Sequence, residues 1–235
     1  MVSLLLVISI GFAMLTYSRG NSQESAKNTG TTKTIDLSPP VEKSDLSVEE
    51  AFSRRRSIRN FENVPLSLAE ISQLLWSAQG ITDNRGFRTS PSAGALYPLE
   101  IYVVADKIEG LSAGVYKYLP SKHELELISD GNKLAQLADA ALMQAWVENS
   151  PAVIVITAVY ERTTIKYGKR GIRYVHIEVG CAAQNIYLQS VSLNLGTTFI
   201  GAFDDQQVKN VLNIPDNENP LAIMPIGKYK QERTR

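Results

Sequence analysis

Arg173-Tyr174-Val175-His176-Ile177-Glu178-Val179-Gly180-Cys181-Ala182-Ala183-Gln184-Asn185-Ile186-Tyr187-Leu188-Gln189-Ser190-Val191-Ser192-Leu193-Asn194-Leu195 is the stretch whose reading decides the fold. Val175, Val179, Ala182, Ala183, Ile186 and Val191 fall on one side of a helix. Ile177, Tyr187, Leu188 and Leu193 put apolar groups on the others. The spacing predicts a single helix of about 34 Å. A helix apolar nearly all round needs cover on every side, and a domain of this size rarely encloses such a length. Two arrangements satisfy it: a homodimer in which two copies of the helix pack together, or a monomer built around it.

Outward from this helix, Ala152 to Tyr160 is a continuous apolar, β-branched run, which predicts a central buried strand. After the helix come a strand at Thr197–Ile200, a short helix at Asp204–Leu212 and a last strand at Leu221–Ile226. Upstream, Ser47-Val48-Glu49-Glu50 reads as a capped helix start, with the helix running to about Arg55. Ser67 and Glu70 cap a second helix carrying Leu68, Ile71, Leu74, Leu75 and Ala78 at helical spacing, and Gly80 ends it. Leu99–Ala105 predicts a strand, Val115–Leu119 and Glu124–Ile128 an exposed antiparallel hairpin, and Leu134–Trp146 a helix. The order is mixed, so an α+β fold fits better than a doubly wound sheet.

The chain has 235 residues, with 24 Lys+Arg against 24 Asp+Glu. Neutrality argues against a nucleic-acid binder, which needs a basic excess to neutralise phosphates. The single Cys181 excludes an intrachain disulfide and any Cys-rich zinc site. With His123 and His176 the only histidines, no metal site is expected.

Val2 to Tyr17 carries no charge, and the first charged residue is Arg19. Residues 1–20 are therefore expected to be a signal peptide or membrane anchor, exporting the chain or tethering it, with membrane contact through this segment alone. Residues 21–46 are rich in Ser, Thr, Asn and Lys and contain Pro39-Pro40, which predicts a disordered linker. Residues 47–235 are then the folded domain.

Two segments carry candidate chemistry. In Arg54-Arg55-Arg56-Ser57-Ile58-Arg59, extended chain would project Arg55, Ser57 and Arg59 to one side, as a phosphate site requires. The same residues also suit the negative end of a helix dipole. In Ser90-Pro91-Ser92-Ala93-Gly94-Ala95-Leu96-Tyr97-Pro98, dense small residues allow a backbone to approach something flat closely, or form an ordinary loop before a strand. Neither a Walker loop nor a dinucleotide glycine fingerprint is present.

Together these motifs resemble the FMN-dependent nitroreductase family, and more narrowly its SagB-type branch, whose best-known members oxidise azolines to azoles in peptide natural products. Lys166-Tyr167-Gly168-Lys169-Arg170-Gly171-Ile172-Arg173-Tyr174, Glu178-Val179-Gly180, Ala183-Gln184-Asn185, Gly201-Ala202-Phe203-Asp204-Asp205 and Pro225-Ile226-Gly227-Lys228 agree with it. The resemblance covers about Ser47 to Lys228. It implies a nitroreductase-like fold: a mostly antiparallel central sheet flanked by helices, with the long helix at a dimer interface.

The resemblance also implies roles. Arg55, Arg56, Ser57, Arg59 and Lys228 match the grip on the FMN phosphate. Pro91, Ser92, Ala93 and Gly94 match a loop that lies along the flavin and comes from the other subunit. Gly201 and Ala202 match the turn facing the reactive flavin nitrogen. Lys166 and Tyr167 match the branch's catalytic Lys-Tyr pair; read from the residues alone they are equally a surface loop. Cys181 stands where the branch often has His, and it reads as a packing residue. FMN is the expected cofactor, with a homodimer, a small-molecule or peptide substrate and a reduced nicotinamide or other electron donor as partners. Competing readings are a flavin-binding protein without turnover, and a basic patch at Arg54–Arg59 that binds a phosphorylated or acidic partner.

Overall fold

Along Leu99–Ala105, Ile101 and Val103 point into one core while Tyr102 and Val104 point into another. This is the two-residue period of a strand covered on both faces, and it sets the layering of the molecule. The structure, a computed structural model, describes residues 33–230.

In chain order the strands are β1 (Thr34–Asp36), β2 (Leu66–Ser67), β3 (Leu99–Ala105), β4 (Ile108–Glu109), β5 (Gly114–Leu119), β6 (Glu124–Asp130), β7 (Ala152–Ala158), β8 (Leu195–Thr197) and β9 (Asn219–Lys228). The helices are α1 (Val48–Arg54), α2 (Leu68–Gln79), α3 (Leu134–Ala140), α4 (Ala145–Glu148), α5 (Glu161–Tyr167), α6 (Arg170–Ser192) and α7 (Asp205–Leu212). Seven strands form one sheet in the order β1-β6-β5-β3-β7-β9-β8, and every neighbouring pair is antiparallel. β2 and β4 make a separate parallel pair. One face packs on α2 and α6 through Ile71, Leu75, Val175, Val179 and Ile186. The other packs on α3, α4 and α7 through Leu137, Val147, Val208 and Leu212. The fold is α+β, with helices on both faces of an antiparallel sheet.

The capped starts are as expected. Ser47 with Glu50, and Ser67 with Glu70, each form a reciprocal capping box. The run at Ala152–Tyr160 forms β7, an interior strand between β3 and β9 that is buried along its whole length. The hairpin forms at β5 and β6, but Val115, Tyr116, Tyr118 and Leu125 are buried, which corrects its reading as exposed. The helix expected over Leu134–Trp146 breaks into α3 and α4, because Leu142 and Met143 both adopt left-handed conformations. Extended pairing at the expected Thr197–Ile200 strand stops at Thr197, and Ile200 joins the sheet only by a bridge to Ile223.

The long helix is α6, starting one turn earlier than expected because α5 ends at left-handed Gly168 immediately before it. It is not apolar all round. Val175, Val179, Ala182, Ala183, Ile186 and Tyr187 are buried, while Arg170, Arg173, His176 and Ile177 face outward.

Two further expectations are corrected. The disordered linker over 21–46 does not hold for the described part. There β1 pairs with β6, Leu37 is buried, and Val41 exchanges hydrogen bonds with the Gln73 side chain. The expectation of export or membrane anchoring is also corrected. Among the described residues no helix is long and apolar enough to cross a membrane, and α6, which has the length, carries Arg170, Arg173 and Glu178. The segment 1–20 lies outside the described residues.

Candidate functional site

The arginine segment leaves α1 at Arg55 and runs beside β8. The Ile58 N–H donates to the Thr197 carbonyl at 2.8 Å, and Ser57 pairs with Thr197 in a parallel bridge. The fit needs Gly196, because an added Cβ there would lie 2.7 Å from Ile58. Ser57 and Tyr187 join through their hydroxyls at 3.0 Å, and the same Tyr187 oxygen accepts the Phe199 N–H at 2.8 Å.

The side chains of this segment do not simply alternate. Arg55 lies over the Tyr187 ring of α6 at 5.1 Å, whereas Arg59 lies over the Trp146 ring of α4 at 5.6 Å. Arg56 folds back to donate to the carbonyls of Ser53 and Arg55, and Arg54 pairs with Glu50. Arg56, Ser57 and Arg59 line a cleft of about 1300 Å³ together with Arg54, Tyr229 and Lys230. Lys228 is nearby in β9, opposite Leu195 of β8, with its ammonium 3.8 Å from the Glu70 carboxylate. The donor set fits a phosphate: several cations and the hydroxyls of Ser53, Ser57 and Tyr229, with Glu62 the one carboxylate among the lining residues. Close by, the Thr197 and Thr198 hydroxyls are buried without a hydrogen-bond partner among the described residues, which leaves bonding capacity for a ligand.

Gly201 and Ala202 are exposed just past Ile200. The Gln144 side chain donates to the Ala202 carbonyl at 3.1 Å and holds this turn against the α3–α4 connection. Gln144 and Trp146 are two positions apart, so the Ala202 turn and Arg59 share one anchor segment.

The small-residue loop is a turn of 3-10 helix at Ala93–Ala95. Ser90 and Ala93 fix it: the Asn185 amide donates to Ser90 Oγ at 3.0 Å, and the Ala93 N–H donates to Glu178 Oε1 at 2.8 Å. Burial pushes the Glu178 carboxyl above its ordinary pKa, and hydrogen bonds from Ala93 and Ser92 pull it part of the way back. Pro91 is exposed and Ser92 half-buried. Gly94 is left-handed, and a Cβ on it would lie 2.8 Å from the Tyr167 hydroxyl and 2.9 Å from Lys166 Nζ. The loop therefore meets the Lys-Tyr pair within one chain. Both belong to the last turn of α5, so they are not on a loop. Tyr167 also packs edge-on against Tyr174, with Lys166 Nζ 5.4 Å from the Tyr167 ring centre.

The structure thus gathers the expected residues into two groups on opposite sides of α6. Glu178 and Asn185, two turns apart, hold the loop on one side. Tyr187, nine positions after Glu178, holds the arginine segment roughly half a turn round the helix and about 13.5 Å along it. Sequence reading missed Tyr187, Trp146, Gln144 and Lys230, and did not give Glu178 a role in the site. A carboxylate and a phenol among the apolar residues on the buried side of the helix were the available signal.

The sequence profile of the Nitroreductase family matches residues 52–228. A Methanocaldococcus jannaschii protein that carries a nitroreductase name is 48% identical over 199 residues, 85% of this chain and 98% of the relative. The Microcin B17-processing protein McbC of Escherichia coli is 27% identical over 199 residues, covering 80% of this chain and 73% of that protein. Among solved structures, one from Anabaena variabilis, also named as a nitroreductase, superposes with a TM-score of 0.75 at 31% identity, covering 85% of this chain and 42% of that one. On the profile match, the M. jannaschii relative and the antiparallel α+β fold, the chain belongs to the nitroreductase family of oxidoreductases.

Proposed function

We propose that this chain is an FMN-dependent dehydrogenase of the SagB-type branch, acting as a homodimer on a small-molecule or peptide substrate. The observation that carries the reading is the seating of Gly94 on Tyr167 and Lys166. It brings a flat, side-chain-free backbone and a proton-handling pair to one place, as hydride chemistry on a planar cofactor requires. FMN, when bound, supplies the ring that accepts or gives up the hydride.

The chain's own groups have separable tasks in this reading. Arg55, Arg56, Ser57, Arg59, Lys228 and Lys230 bind the phosphate by charge-assisted hydrogen bonds. Gly201 and Ala202 offer backbone groups to orient the ring, and Pro91–Gly94 shield it from water. Tyr167 holds the proton that leaves or joins the substrate when hydride moves, and Lys166 steadies it. The opposed groups on α6 support the dimer: a single flavin touching both the loop and the arginine segment needs them from two chains. Exposed Ile172 and Ile177 on the outer face of α6 support the same reading. The likeness to the Microcin B17-processing protein supports a peptide as the substrate class.

The test is to purify the protein, measure bound FMN, and follow anaerobic reduction by a panel of nicotinamides and azoline-containing peptides. One FMN per chain and turnover with a donor or peptide are expected. A colourless protein that takes up no added FMN overturns the reading.

A further inference from the structure

Glu178 is the only acidic residue of α6, and it is 5% exposed. Among the described residues it makes hydrogen bonds but no ion pair. A buried carboxylate without a counter-charge is a costly choice for a packing position. Its bonds all go to one place. Oε1 accepts the Ala93 N–H at 2.8 Å, and the Ser92 hydroxyl hydrogen-bonds the same carboxylate. Ser92 Oγ in turn accepts the Tyr97 N–H at 2.9 Å. A chain of bonds therefore runs from Tyr97 through Ser92 to Glu178 and back to Ala93.

This chain spans a strained turn. Gly94, Ala95 and Tyr97 have φ values of 64°, 55° and 46°. Ala95 and Tyr97 carry side chains that disfavour that region, so the conformation persists only where surrounding contacts impose it. The turn's product is the approach of Gly94 to the Tyr167 hydroxyl and Lys166 Nζ.

We propose that Glu178 is a positioning residue: by bonding Ala93 and Ser92 it holds the 92–97 turn in the conformation that sets Tyr167 and Lys166 for proton transfer. This rests on the reading of Tyr167 given above, and it adds a residue that does not itself touch the reacting atoms.

The test reads the Tyr167 environment directly, apart from turnover. Protein labelled with 13C at the tyrosine Cζ gives a Tyr167 signal, assigned by its loss in Tyr167→Phe. In Glu178→Ala the Tyr167 signal should shift or broaden, and the rate of flavin reduction should fall on the order of 10-fold to 100-fold with bound FMN retained. Glu178→Gln keeps an oxygen acceptor for Ala93, so it should return the signal to its original position and recover most of the lost rate. If Glu178→Ala does not fold, Gly94→Ala probes the same contact from the other side and should move the Tyr167 signal. A Tyr167 signal unmoved in the folded variants overturns the proposal. A signal that moves while Tyr167→Phe turns over normally supports the positioning and sinks the proton role of Tyr167 instead.

Discussion

The hydroxyls of Ser57 and Tyr187 lie 3.0 Å apart, and this contact ties the arginine segment to α6. Tyr187 also accepts the Phe199 N–H, so one phenol oxygen fixes both the arginine segment and the chain leading to Gly201. Tyr187→Phe removes both bonds and strands a backbone N–H. The expected cost is about 2 kcal/mol, or roughly 4–8 °C in Tm, with weaker FMN binding. Thermal melts with and without added FMN check this; an unchanged Tm and FMN affinity would show that the tie is idle.

Arg55 and Arg59 stack on rings of different helices, so neither relies on the other for its position. Each single change to Ala should weaken FMN binding roughly 10-fold to 100-fold, the range for losing one charge-assisted bond. The double change should strip FMN from a protein whose far-ultraviolet circular dichroism is unaltered. FMN retained in the double variant refutes the phosphate site.

The raised Glu178 pKa predicts a pH dependence with a definite sign. A carboxyl that folding makes harder to ionise contributes stability that is full below its ordinary pKa and is lost as the pH rises through the raised value. Glu178→Gln cannot ionise, so it should melt above the native protein at neutral pH. The gap should close as the pH falls below the ordinary carboxylate range. Paired melts from pH 4 to 8 test this, and a gap that widens on acidification contradicts it.

The described part of the predicted linker makes real contacts. β1 extends the sheet edge beside β6, Leu37 is buried, and His123 Nε2 lies 2.8 Å from the Ser38 carbonyl. A chain beginning at Ser47 should melt roughly 4–8 °C below one beginning at Lys33, for about 2 kcal/mol of lost burial and bonding. Equal melting points would return the segment to the status of a spacer.

What was legible in the sequence was local. The Ser67–Glu70 box, the period of α2 and the apolar run of β7 are each written within about a dozen neighbouring residues. β1 was not legible, because Thr34-Ile35-Asp36 has one half-buried side chain and exists as a strand only through its pairing with β6. The site followed the same rule. Its motifs were recognisable singly, but the rings that seat Arg55 and Arg59 belong to Tyr187 of α6 and Trp146 of α4, and nothing in the spacing of the segment records them. The seating of Gly94 on Tyr167 joins residues far apart in sequence, and no spacing records it.

The outer face of α6 allows the sharpest test of the dimer. Ile177 is 57% exposed, so Ile177→Asp should shift the stability of an isolated chain by no more than about 0.5 kcal/mol. Between two packed copies of α6, the same change would bury a carboxylate beside its twin, which neither desolvation nor like charge permits. Light scattering should then report a dimer for the native protein and a monomer for the variant. Because the loop and the arginine segment sit on opposite sides of α6, the monomer should also lose its FMN while keeping its secondary structure. A monomeric variant that still holds FMN would show that one chain completes the site. A variant that remains dimeric would move the interface away from this face of the helix.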